Sequence, residues 1–465
     1  MTRTFYEVDG FYGPVKTLRF EADVHDCEVV GELPAALQGR LYRAGPDAQY
    51  PTFEHDNVVN GDGMVSMFRF DQGYVSFSTR YVQTERYLAE RKARRRLYGI
   101  YRNPYTDDPS TAGTDRDNTG NTYAFHHAGR LFALREDSWP HQIDPDTLAT
   151  LPKWNFNGAL KSTSLTAHPK IDPVTGEWWS FGLFAHGKAN TDMMLHVIDR
   201  NGDICRQEEF QSPYPGLSHD FAVTREHVIF GVMPLTVDEA RVKAGGHFYA
   251  YDPELPSCWG IMRRDGSAKD IRWFKVPRCF SGHIMNAFTE GSTVHVDATI
   301  SSGNGFRFYP DVNGQPTNPV DGIPTVTRLS FDLSSPEDGA RRTPFPGAIG
   351  EMPRLDERFA MSRYRYGYIK TPDGVARLDW DTMQMTVHKV AGSTQEPVFV
   401  PRSPDAAEGD GYLLCVANLS AEKHAVLLVL DALDMAAPPV ATVRLPFPLP
   451  GAFHGMYVAE AELRR

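Results

Sequence analysis

Short runs in which apolar and polar residues alternate recur at brief intervals over almost the whole chain. They include Met64–Phe70, Tyr74–Val82, Arg130–Arg135, Phe221–Phe230, Thr293–Thr299, Thr325–Phe331, Tyr412–Val416 and Ala425–Leu430. A period of two sends successive side chains to opposite faces, so each run predicts a half-buried strand. Asp71-Gln72-Gly73, Asn201-Gly202-Asp203 and Pro372-Asp373-Gly374 join neighbouring runs at hairpin spacing. Long helical periods are nearly absent. That pattern predicts an all-β barrel, sandwich or propeller rather than alternating strands and helices. No exact repeat is visible, so a propeller would have diverged blades.

Thr84–Leu97 (TERYLAERKARRRL) is the clearest helix, with Glu-to-Lys/Arg spacing that supports it; its basic run reads as a solvated face. The Asn-, Pro-, Asp- and Gly-rich stretch Tyr98–Thr114 is too long for a simple turn and suits a lid or binding loop. Glu351–Arg358 and Pro401–Gly411 read as further irregular stretches, and Ser162–Thr166 as a Thr/Ser-rich strand. No composition break marks a second domain, so one domain over residues 1–465 is expected.

Composition narrows the function classes. Hydrophobic residues make up 41% and charged residues 23% of the 465, ordinary for a globular protein. The net charge of −11 argues against nucleic acid as the main partner. No uninterrupted apolar run would span a bilayer, so a cytoplasmic enzyme without stable membrane insertion is expected. The five cysteines, Cys27, Cys205, Cys258, Cys279 and Cys415, form no CxxC and suit reduced, structural thiols. A transition metal here would have to rely on histidine or carboxylate.

Sixteen histidines are present, and a lone histidine is usually structural. There is no HExxH or HxH, and the adjacent His126 and His127 would point to opposite faces of a strand. Spacing alone therefore identifies no metal site. Context is more specific: His168, His219, His283 and His454 each sit at the edge of a strand-like segment, within AHPKIDPVTGEWWSFG, SHDFAVT, HIMNAF and FHGMYV, with NGDGM (Asn60–Met64) near the start.

Across essentially its whole length, the sequence resembles the carotenoid cleavage oxygenase family on these motifs. The resemblance implies a seven-bladed β-propeller with a helix-and-loop cap over its top face, the cap coming from insertions that include roughly residues 84–115. It implies a mononuclear Fe(II) held by His168, His219, His283 and His454, with O2 as co-substrate. Glu136, Glu351 and Glu396 match the glutamates that orient such histidines from behind. Thr122 matches a threonine whose methyl crowds one coordination position.

Around Tyr101-Arg102-Asn103-Pro104-Tyr105 the sequence looks like the lignostilbene dioxygenase and isoeugenol oxygenase branch, in which the matching tyrosine and a lysine hold a phenolic oxygen. The lysine position is Arg135 here, which can pair with a phenolate but cannot take a proton near neutral pH. Val58 and Val59 are small where stilbene-cleaving relatives place an aromatic. Phe280, Phe306 and Phe308 are candidate stacking walls. The expected reaction is O2-dependent cleavage of the central alkene of a 4-hydroxystilbene into two aromatic aldehydes. Alternatives are cleavage of an isoeugenol- or 4-vinylphenol-type side chain, apocarotenoid cleavage, or a propeller that is no oxygenase. The branch also suggests a homodimer, by analogy alone.

Overall fold

Antiparallel hairpins in chain order build nearly all of the molecule. The computed structural model describes residues 4–11, 13–53, 56–114, 116, 118–187 and 189–463. The ends of the expected domain (1–3, 464 and 465) and residue 115 of the expected cap lie outside the described residues. The described strands form five sheets of four to six strands, one of nine, and a two-stranded hairpin near the start. In the nine-stranded sheet, the strands around Gly39–Pro46 and those around Arg130–Leu134 meet at one parallel pair, His454 with Tyr123. Dividing the sheet there leaves seven antiparallel strand groups.

The first strands of successive groups pack side by side: Phe221–Val223 on Phe280–Glu290, then Glu351–Leu355, Val398–Pro401 and His454–Ala459. The two ends of the chain interlock. Glu28–Gly31 pairs with Ala441–Arg444 in the last group, and His454–Ala459 pairs with Gly39–Pro46 in the first. This closes the ring and leaves no long open sheet edge there. The core lies between faces of neighbouring sheets, as with Phe68, Phe77, Leu414 and Leu427, all at most 1% exposed. Burying each such side chain stabilises the fold by about 1.5–3 kcal/mol.

Most of the expected strands are present within a residue or two, among them Gly63–Asp71, Tyr74–Tyr81, Thr325–Asp332 and Ala425–Asp431. The differences fall near the middle of the ring. Phe221–Phe230 is two strands, Phe221–Val223 and His227–Val237, turned back at Thr224, whose hydroxyl accepts from the backbone N–H of Glu226 and His227. Ser162–Thr166 is not a strand: it runs beside Trp178–Leu183 with backbone bonds from Thr163 N to Ala185 O and Thr166 N to Phe181 O, and between them Ser164 Oγ donates to Leu183 O. Glu351–Leu355 is a strand, with an irregular register beside Met352, whose φ is 56°.

The helix is Glu85–Ala93, shorter than expected. The Thr84 hydroxyl caps it by accepting from Tyr87 N at 3.1 Å, and Arg94 ends it in the left-handed region. Its basic run is only partly a solvated face. Arg91, Lys92, Arg94 and Arg95 are exposed, but Arg86 and Arg96 are buried and donate to Asn60. Glu90 accepts from the backbone N–H of Leu97 and Tyr98 at 2.9 and 3.1 Å and pairs with Arg96 at 3.4 Å. This buried network fixes the segment that leads to Tyr101. Breaking a buried pair is costly, so Glu90→Ala is expected to lower unfolding free energy by about 3 kcal/mol in denaturant titration. A loss under about 1 kcal/mol would match an exposed pair instead. No described helix is long and apolar enough to cross a membrane.

Candidate metal centre and substrate cavity

The four motif histidines come from four strand groups and converge near the middle of the ring. His168 lies just before Lys170–Ile171, and His219 lies between Gly216–Leu217 and Phe221–Val223. His283 is inside Phe280–Glu290, where the register shifts twice, between Ser281 and Ile284 and again before Asn286. Such a bulge re-aims a side chain that regular pleating would fix. Gly282 belongs to this device: a Cβ there would collide with the Glu351 carboxylate. His454 opens the last strand, its N–H donating to Thr122 O at 3.1 Å. Asp220 joins three of the four segments, accepting from Ile284 N and Lys170 Nζ, both at 2.8 Å. That explains the Asp in SHDF. Asn286 of HIMN accepts from Met361 N and donates to Ser362 O.

His168 Nε2 lies 3.1 Å from His219 Nε2, which lies 3.3 Å from His283 Nε2. A ring nitrogen from each of His168, His283 and His454 lies within 4.8 Å of the others. Three of the rings are held from behind. His219 Nδ1 is 2.6 Å from Glu136, His283 Nδ1 is 2.7 Å from Glu351, and His454 Nδ1 is 2.9 Å from Glu396. A proton on each Nδ1 leaves Nε2 as a lone pair facing the other rings. Burial, then the three neighbouring imidazoles, push His168 well below the usual histidine range, which favours its neutral form. Nε2 lone pairs brought this close repel one another. A cation between them removes the repulsion, and an all-imidazole donor set suits a divalent transition metal.

The carboxylates are themselves fixed. Burial alone would raise Glu136, but His219 and Arg135 hold it down to about 2, so it is ionised. Glu351 also accepts from Thr299 Oγ1 at 2.7 Å and Met352 N at 2.8 Å. Glu396 accepts from Gly455 N at 2.9 Å and pairs with Arg354 at 3.3 Å. Arg354, which also donates to Gly455 O at 2.9 Å, has no signal of this role in the sequence beyond its proximity to Glu351.

A cavity of about 910 Å³, its open mouth included, reaches these rings. Tyr101, Thr122, Arg135 and Phe308 all line it, as do Val59 and Phe306; Val58 and Phe280 do not. Phe280 instead packs behind Phe306, edge-on at 5.5 Å. One part is polar. Tyr101 Oη lies 3.3 Å from both Glu136 and Asp137, and the Arg135 guanidinium sits over the Tyr101 ring at 4.7 Å. Arg135 donates to Asn121 Oδ1 at 2.6 Å and Val59 O at 3.0 Å, which fixes its direction. Burial pushes the Tyr101 phenol above its ordinary value, so it remains a donor. Another part is aromatic, with Phe306 and Phe308 stacked at 6.0 Å and Phe306 edge-on to His219 at 5.2 Å. Tyr249, Tyr309, Phe11 and Phe453 also line the cavity. Tyr249 and Tyr309 belong to short aromatic runs, and Phe453 precedes His454, but only the fold brings these segments to one cavity.

Comparison with known proteins agrees with this geometry. The family profile described as Retinal pigment epithelial membrane protein matches residues 15–459. Isoeugenol monooxygenase of Pseudomonas nitroreducens is 40% identical, over 96% of this chain and 97% of that one. Lignostilbene-alpha,beta-dioxygenase isozyme III of Sphingomonas paucimobilis is 39% identical, over 99% of each. The crystal structure of Pseudomonas brassicacearum lignostilbene dioxygenase superposes with a TM-score of 0.92 at 39% identity, covering 95% of this chain and 96% of that one.

Proposed function

The chain belongs to the Retinal pigment epithelial membrane protein family, the carotenoid cleavage oxygenases, and on that premise we propose that it cleaves the central alkene of a 4-hydroxystilbene with O2. It is an alkene-cleaving dioxygenase. One alkene and one O2 become two carbonyls: the carbon–carbon double bond and the oxygen–oxygen bond break, and each carbon takes one oxygen. An Fe(II) held by His168, His219, His283 and His454 would supply O2 binding and activation.

The protein's own groups bind and aim the substrate. Tyr101 donates a hydrogen bond to the substrate's phenolic oxygen, and Arg135 beside it favours negative charge there. Arg135 acts as a fixed cation and not as a proton acceptor. Electron density from an oxygen para to the alkene flows into the double bond and makes it easier to oxidise. Phe306 and Phe308 stack against the second ring, and the aromatic walls keep water from the reacting carbons. Thr122 narrows the approach beside His454, and Glu136, Glu351 and Glu396 hold three histidine rings in direction.

One observation carries the stilbene reading: the cavity lining combines a polar group, Tyr101 and Arg135, with an aromatic one, Phe306 and Phe308, and both adjoin His219 or its Glu136 partner. A two-ring substrate fills both. The equally high identity to isoeugenol monooxygenase supports a second reading, a one-ring phenylpropenoid giving a vanillin-type aldehyde. The test is product analysis with purified protein. A 4-hydroxystilbene should yield two aldehydes in equal amounts under O2 and neither without it. Faster turnover of isoeugenol than of any 4-hydroxystilbene would favour the one-ring substrate, and Tyr101→Phe should raise KM for whichever phenol is used.

A further inference from the structure

The first described segment of the chain reaches the wall of the cavity. Val8–Gly10 and Gly13–Val15 pair as a short antiparallel hairpin, and Phe11 lies in its turn. The Phe11 ring is edge-on to Phe308 at 5.1 Å, to Phe306 at 5.3 Å and to Phe453 at 5.7 Å. Phe306 in turn touches His219. Phe11 is thus a half-buried piece of cavity wall on an element outside the strand groups.

The hairpin is lightly held. Asp9 N donates to Asp56 O at 3.3 Å, and the exposed Arg307 donates to Phe11 O at 2.7 Å. Further along, Leu18 N and Arg19 N donate to the Asp47 carboxylate at 2.9 and 2.7 Å, which anchors the chain beyond the hairpin. Two strands of three residues do not hold together alone in water. The hairpin therefore relies on docking, of Phe11 against the aromatic wall and of buried Val8 in the strand that packs on Val58–Asn60. Its first strand packs against Val58–Asn60, the turn whose Val59 presents only a small side chain to the cavity.

We propose that Phe11 is a specificity-determining residue: it closes the aromatic part of the cavity around the substrate ring remote from the phenol. This rests on the two-ring reading of the cavity given above.

The test compares the unmodified protein with Phe11→Ala, Phe11→Leu and Arg307→Ala. Calorimetry measures binding of 4-hydroxybibenzyl, which has two rings and no alkene, and steady-state kinetics use a 4-hydroxystilbene and a 4-vinylphenol. Phe11→Ala should weaken bibenzyl binding and raise the stilbene KM by about tenfold, the scale of one lost aromatic contact. The loss for two-ring ligands should exceed that for the one-ring substrate by about fivefold or more, with partial recovery in Phe11→Leu and a smaller shift in Arg307→Ala. Equal losses for both ligand classes, or unchanged bibenzyl binding, would overturn the proposal. If stilbene is cleaved but Phe11 has no effect, the wall fails and the activity stands. If neither alkene is cleaved but bibenzyl binding still depends on Phe11, the substrate reading fails and the wall stands.

Discussion

Replacing His283 with alanine is expected to strip the protein of iron and to reduce alkene cleavage by more than about 100-fold, beyond the usual cost of losing a mere outer partner. The reason lies in the backbone as much as in the ring. His283 is aimed by two register shifts, and a glycine precedes it because any Cβ there would strike Glu351. No other imidazole can swing into its place, since His219 and His454 are each tied to their own glutamates. The bulge bonds His283 N to Thr299 Oγ1 and does not need the side chain, so the fold should survive. Metal analysis after anaerobic loading, with circular dichroism as the fold control, checks this. A His283→Ala protein that retains about one iron per chain and full turnover would remove His283 from the site.

Glu351→Gln should lower iron affinity and activity by about 10- to 100-fold while leaving the fold intact. Glu351 faces His283 Nδ1 at 2.7 Å and also receives Thr299 and Met352. Burial would raise its carboxyl, but the interaction with His283 leaves it below the ordinary value, so a charge sits behind the imidazole. That charge makes His283 more electron-rich. Glutamine keeps the shape and can still accept from Nδ1, so its deficit isolates the charge; Glu351→Ala should lose more because the ring also loses its orientation. The measurement is an iron titration of the three proteins. Equal affinities would show that Glu351 only fills space.

The sequence makes the outer strands readable and the inner ones obscure, for a physical reason. Runs such as Tyr74–Tyr81 alternate cleanly because one face is buried and the pleat is regular. Glu351–Leu355 is interrupted by left-handed Met352, and Phe221–Val223 is only three residues long, so neither shows a period. The left-handed Met352 that hides the first of them directly follows Glu351, whose carboxylate faces His283. The histidines were legible through their flanking residues: Asp220 ties three histidine-bearing segments together, and Asn286 pins the His283 strand to Met361. Arg86 and Arg96 looked solvated because their partner, Asn60, is 26 and 36 positions away. Tyr249, Tyr309 and Phe11 meet only through the fold, and no local pattern could have placed them at one cavity.

X-ray absorption at the iron edge of the metal-loaded protein tests the four-histidine centre most directly. Scattering from four imidazoles is expected, with about one iron per chain, as a single site of this kind requires. An iron bound mainly by carboxylate or thiolate, or fewer than four imidazoles, would contradict it.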